Sequence, residues 1–186
     1  MDKHRELLTA IDASFAEFQD AVSAVPAALV ETPGAAGDWT TRQVVAHVGA
    51  DELWLAGQLA ALRPGDPPTS DECYGPDAGT PPDGIDLATQ DGRNAWQALR
   101  LAALTAGDAR ELLASGHGKL MAELRQLSDD DLGRPLTIAG NGAVGWIRPA
   151  ANGEFSATLE RWVTGATTHH HHEHAALVRA FLARQQ

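Results

Sequence analysis

The sequence predicts an all-α fold on three observations. Apolar residues recur at three- and four-residue intervals through several long segments, strand-type alternation is nearly absent, and helix start and stop signals bound the segments. From Lys3 to Val25 the residues Leu7, Ile11, Phe15, Phe18, Val22 and Val25 share one helical face, and Pro26 closes the segment. Thr40 and Gln43 then have capping-box spacing, in which each side chain satisfies an amide at the helix start. They open a helix expected from Thr41 to Leu62, which Arg63-Pro64-Gly65 ends.

The stretch PGDPPTSDECYGPDAGTPPDG, Pro64 to Gly84, has neither period and reads as a long loop. Long structureless connections tend to serve function, so this one is expected to border the mouth of a pocket; a plain surface connector is the competing reading. A short helix follows over Gln90 to Leu104. A longer one runs from Gly107 to Leu127, with Thr105 as cap and Leu113, Leu120, Leu124 and Leu127 as its buried stripe, although Gly116 and Gly118 weaken its middle. The segment from Leu136 to Glu154 is broken by glycine, asparagine and proline and reads as a turn or short hairpin. Ser156 is positioned to cap a final helix whose face comprises Leu159, Trp162, Val163, Ala166, His170, His174, Leu177, Val178 and Phe181.

Length and charge narrow the function. A chain of 186 residues is expected to form one domain, 1–186. A formal net charge of -11, with only 14 Lys+Arg, argues against a surface that tracks nucleic acid or an anionic membrane. No run approaches the ~20 apolar residues of a membrane span. The single cysteine, Cys73, has no internal partner, and no signal-peptide pattern opens the chain, so a cytoplasmic location is expected.

The histidines carry the chemistry. A purification tag would stand at a terminus outside any periodic pattern. Here TTHHHHEHAALV runs on into AALVRAFLARQQ, ordinary helix. His170 and His174, at i and i+4, project from consecutive turns and can converge on one ion, although by itself this spacing also fits a helix surface or a hydrogen-bonded core pair. His47 falls on the stripe of Val44, Val48 and Leu55, where a histidine needs a partner. Together the three make a metal-ligand set with an open position. His171, three residues from His174, is the alternative to His170.

His169 and His172 flank the stripe, and His4 and His117 have no supporting neighbours in the sequence. Asp51, Glu52 and Glu173 read as helix-surface charges, one of which could orient a ligating imidazole. Trp39, Trp54, Trp96, Trp146 and Trp162 read as core or pocket lining, and Cys73 lacks any visible activating group.

The segment from Trp39 to Val48 (WTTRQVVAHV), followed by Asp51-Glu52-Leu53-Trp54, resembles the second-helix signature of the DinB/YfiT-like metalloenzyme superfamily. It is especially similar to the amino-terminal domain of mycothiol-dependent maleylpyruvate isomerases. LSDDDLGRP, Leu127 to Pro135, and a last helix with His170 and His174 are similar as well. The resemblance implies a four-helix bundle with a divalent metal held by one histidine of the second helix and two residues of the last. The isomerases carry a glutamate in the place similar to His170, and they have an additional carboxyl-terminal domain for which no length follows the last helix here. Isomerisation of maleylpyruvate is therefore not carried over.

Three neutral imidazoles leave a divalent ion, zinc first and nickel next, able to activate a thiol or a water. The resemblance favours transfer of a low-molecular-weight thiol such as mycothiol to a small electrophile. Metal-dependent hydrolysis and a non-catalytic metal- or ligand-binding bundle stand as alternatives. The expected partner is a small-molecule substrate, without nucleic acid or membrane, and a homodimer is left open.

Overall fold

Asp2 opens the first helix by accepting a hydrogen bond from the Arg5 amide, and α1 (Lys3–Ser23) buries Leu7, Ile11, Phe15, Phe18 and Val22 as its period requires. The computed structural model describes residues 2–62, 82–86, 89–138, 144–146 and 157–185. After a 3-10 turn (Ala27–Leu29) the chain forms a small hairpin of β1 (Pro33–Ala36) and β2 (Trp39–Thr40). The sequence reading contained no such hairpin, because strands of four and two residues are too short to show alternation. Gly37, at φ +57°, supplies the left-handed turn conformation that glycine adopts without steric cost.

Thr40 ends that hairpin and caps α2 (Thr41–Ala61), and its capping box with Gln43 forms as expected. Beyond α2, the loop expected from Pro64 to Gly84 lies outside the described residues except for 82–84, and Cys73 with it. Next come α3 (Gln90–Arg100), capped by Thr89, and α4 (Ala106–Leu124), where Thr105 forms a capping box with Asp108. A single turn, α5 (Asp129–Leu132), is capped by Ser128.

The expected short hairpin is present as β3 (Pro135–Ile138) and β4 (Val144–Trp146), antiparallel, with Leu136 opposite Trp146; the Trp146 side chain is outside the description. β5 (Ala157–Thr158) adds to the other edge of β3, giving the order β4-β3-β5. The last long helix starts two residues later, capped by Thr158; Ser156 lies outside the described residues. It comprises α6 (Leu159–Thr164), a π-helical turn (Gly165–His169) and α7 (His170–Ala183).

That π turn corrects the expected face. An α-helix of 3.6 residues per turn would bury Leu159, Val163, Ala166, His170, His174 and Leu177 in one line. A π turn accommodates one extra residue, so every position beyond it moves on by one. The buried line is Leu159, Val163, Thr167, His171, Ala175 and Val178; of the expected face, His174 and Phe181 are buried as well, while Ala166 and His170 are half-buried and Leu177 is exposed.

The four long helical units, α1, α2, α4 and α6–α7, form a four-helix bundle in which α2 packs along α4 and α1 along α7. Gly49 and Gly116 let α2 and α4 approach closely. A Cβ on Gly116 would sit 2.3 Å from the Gly49 carbonyl oxygen, and one on Gly49 would sit 2.6 Å from the Leu113 amide nitrogen.

The core is split in two. One cluster gathers Phe15, Phe18, Val22, Val44, Val48, Leu113, Val178 and Phe181; the other gathers Leu7, Ile11, Leu55, Leu59, Leu120, Leu124, Leu159 and Val163. Between them stands a buried polar layer drawn from α1, α2 and the last helical unit. It contains Ser14 on α1, His47 and Glu52 on α2, Thr167 in the π turn, and His171 and His174 on α7. Burying each large apolar side chain stabilises by ~1.5–3 kcal/mol, so the two apolar clusters carry the fold and leave the layer between them for chemistry.

Candidate metal centre

His47, His170 and His174 meet on one side of the polar layer. His170 Nε2 lies 3.1 Å from His47 Nε2 and 2.9 Å from His174 Nε2, and the three nitrogens fall within 4.8 Å of one another. His47 is 3% and His174 8% exposed, with His170 half-buried beside them. The Trp39 ring stands edge-on to His47 at 5.0 Å, walling the cluster from the β2 side.

Hydrogen bonding sets the tautomer of His47. Its Nδ1–H donates to Gln97 Oε1 at 2.7 Å, while the Gln97 amide nitrogen donates to Asp51 Oδ1. The Gln97 orientation is fixed because a carboxylate only accepts. With Nδ1 protonated, neutral His47 presents the lone pair of Nε2 to the cluster. His170 Nε2 has a single site with which to meet two nitrogens, so hydrogen bonding can satisfy at most one of the two close contacts. A cation among the three nitrogens satisfies both, and the donor set therefore fits a divalent metal.

Electrostatics agrees. Burial, followed by the neighbouring histidines, pushes His174 down to about 2. Burial pushes His170 down to about 4, against the opposing pull of the Asp51 carboxylate. Both side chains are thus neutral near pH 7, the form that ligates metal.

His171, the sequence's alternative ligand, points elsewhere. It is fully buried, with Nδ1 2.9 Å from Ser14 Oγ and Nε2–H donating to Glu52 Oε1 at 3.1 Å. Glu52 corrects its reading as a surface charge, since it is 1% exposed. His117 corrects the expectation that it has no supporting neighbours: it stacks on Phe15 at 3.6 Å and donates to Glu52 Oε1 at 2.9 Å and Asp12 Oδ1 at 3.3 Å. His4 also has partners, donating through Nε2–H to the Leu124 carbonyl.

Burial works to raise the Glu52 pKa, but hydrogen bonds from His117 and His171 outweigh it and hold the carboxyl below its ordinary value. Burial works to lower His117, and here the bond and charge of Glu52, with Asp12, prevail and raise it. This second network joins α1, α2, α4 and α7.

The sequence reading missed Gln97, Ser14 and the pairing of Glu52 with His117. For three of these residues a signal was present. Ser14 falls three residues from Ile11 and four from Phe18, Glu52 four from Val48 and three from Leu55, and His117 four from Leu113 and three from Leu120. Each is a polar residue at an apolar-stripe position, the pattern that singled out His47. Gln97 gives no such signal, because its role depends on where α3 docks.

Solved structures with related folds place the chain among known proteins. It superposes on YfiT from Bacillus subtilis, a probable metal-dependent hydrolase with an unusual four-helix bundle topology, with TM-score 0.59 and 20% identity over 98% of this chain and 87% of that one. A mutant of the mycothiol-dependent maleylpyruvate isomerase matches with TM-score 0.63 and 15% identity over 94% of this chain, which spans only 60% of the isomerase. The colibactin self-resistance protein ClbS, solved with double-stranded DNA, matches with TM-score 0.62 and 16% identity over 95% of this chain and 93% of that one. Comparison with curated proteins finds no relative by sequence. Among the described residues no helix is long and apolar enough to cross a membrane. The profile of the DinB superfamily matches residues 10–178, and the chain belongs to that superfamily.

Proposed function

We propose that His47, His170 and His174 bind one divalent ion, zinc with nickel next, and that the protein uses it to transfer a low-molecular-weight thiol of the mycothiol type to a small electrophile. The observation that carries this reading is the convergence of three imidazole nitrogens, two of them on side chains held neutral by burial. An ion held there would lower the pKa of a thiol or water beside it and so supply a nucleophile at neutral pH. The chain's own residues do the rest. Gln97 holds the His47 ring in its ligating tautomer, Trp39 excludes solvent from one wall, and the half-buried edge of His170 leaves the side by which a substrate enters.

The fold is shared with both an isomerase that depends on mycothiol and a probable hydrolase. Hydrolysis is therefore the second reading, and a non-catalytic binding bundle the third. ClbS was solved with DNA, but the net charge of -11 here supports a small-molecule substrate rather than a phosphate backbone.

Single alanine replacements of His47, His170 and His174 should each reduce bound metal in elemental analysis, while His171→Ala should leave a site of the same stoichiometry. Undiminished metal in all three would refute the ligand set. In the metal-loaded protein, turnover of an electrophile that saturates with thiol and vanishes without it identifies a transferase. Thiol-independent turnover of esters or amides identifies a hydrolase, and neither activity leaves the binding bundle.

A further inference from the structure

The histidine cluster is not bounded by histidines alone. Asp51, one turn after His47 on α2, places Oδ2 3.5 Å from His47 Nε2 and 3.7 Å from His170 Nε2. Neighbouring ligands held ~2.0–2.1 Å from one zinc stand about 2.8–3.4 Å apart, depending on whether their angle is square or tetrahedral. The His47–His170 contact of 3.1 Å and the His170–His174 contact of 2.9 Å lie within that spacing, and the Asp51 oxygen stands just outside it, at 3.5 and 3.7 Å from two of the three nitrogens.

The two oxygens of Asp51 are differentiated. Oδ1 accepts from the Gln97 amide, and Gln97 in turn accepts from His47 Nδ1–H, so one α3 side chain grips both α2 residues by the atoms that face away from the cluster. Oδ2 is left directed at the imidazole nitrogens. Among the described residues no lysine or arginine pairs with Asp51, whose side chain is 26% exposed; its contacts are Gln97 and the two histidines.

We infer that Asp51 is a fourth, anionic ligand of the ion, through Oδ2, and that Gln97 is the positioning residue that aims both Asp51 and His47. The inference rests on the His47–His170–His174 reading. It gives the site three neutral nitrogens and one carboxylate oxygen, reducing the charge of a bound divalent ion from two to one. Such a donor set would also suit metals that accept more than four ligands.

The test uses the full chain with cobalt(II) and zinc(II) alone, near pH 7.5. Cobalt is titrated and its visible d–d bands recorded; zinc affinity is measured by competition with a chromophoric chelator. Asp51→Asn should shift the cobalt bands and weaken zinc binding at least tenfold, and Asp51→Ala should do the same. Gln97→Leu should weaken zinc by 10–100-fold, the range typical of groups that orient ligands. Asp130→Asn, which removes an equal charge from an exposed turn, should do neither. Thermal melting of each metal-free variant reports folding independently.

If folded Asp51→Asn and Asp51→Ala proteins keep the parent's bands and affinity while His174→Ala loses cobalt, the Asp51 inference is overturned and the three-histidine site stands. If the parent protein binds neither metal, both readings fall.

Discussion

Glu52 has the least usual surroundings of any charged residue described. Its Oε1 accepts from both His117 and His171, and its Oε2 is buried without a partner among the described residues. Removing one member of a buried charge pair strands the other, so Glu52→Gln should cost roughly 3 kcal/mol, read from the urea midpoint near pH 6. An unchanged midpoint would show that the carboxylate contributes no net stability.

The pH dependence has two opposite parts. His117 has a raised pKa, so its contribution is full below the unfolded value of ~6.5 and is lost as pH rises through the folded value. The stability gap between parent and His117→Asn should therefore narrow as pH rises above ~6.5. His170 and His174 have lowered values. As pH falls below ~6.5 the unfolded chain takes up those protons first, so the metal-free protein should lose stability toward acid. Urea titrations at several pH values, with and without a chelator, separate the two; a metal-free stability flat from pH 7 to about 4 would contradict the His170 shift.

Among the elements, the α2–α4 contact and the π turn carry separate expectations. Gly116→Ala would drive a methyl group into the Gly49 carbonyl and should destabilise by ~1–3 kcal/mol, loosening the contact that brings His117 to Glu52. Gly118→Ala, on the same helix with open space around its Cβ, should instead stabilise by ~0.5–1 kcal/mol. Thermal melts of the pair check this, and equal shifts would show that the close approach is not the cause.

The π turn is equivalent to one inserted residue, so deleting Gly165 should restore a regular helix while both flanking faces stay buried. Deleting Ala176, in regular α7, should swing the following residues by about 100° and unseat Val178 and Phe181. The first deletion should melt cooperatively near the parent temperature and the second well below it.

Across the whole molecule, the polar layer divides the core, and the proposed ion would join α2 to α7 through it. A ligand bound only by the folded state stabilises by about 2.7 kcal/mol at a free concentration of 100 Kd. Zinc should therefore raise the melting temperature, a chelator should reverse the rise, and His47→Ala should abolish it. A melting temperature indifferent to zinc in the parent protein would count against an ion spanning the two helices.

The sequence by itself determined the helical segments and the Thr40 and Thr105 caps, and it left a turn or a short hairpin before the last helix. Those features depend on residues within a turn or two of each other, and local periodicity and capping express them directly. His47 was legible for a related reason, as a polar residue on an apolar stripe. So were His170 and His174, although the buried line also passes through His171 and leaves His170 half-buried, because backbone periodicity gives no sign of a π turn.

The tertiary structure alone decided which polar residues meet. Gln97 reaches His47 from fifty residues away, His171 turns to Ser14 and Glu52 instead of the cluster, and Glu52 is buried because α4 brings His117 against it. Such pairings are set by the docking angle and depth of whole helices, here through the Gly49–Gly116 approach, and those are products of packing between segments that no single segment encodes.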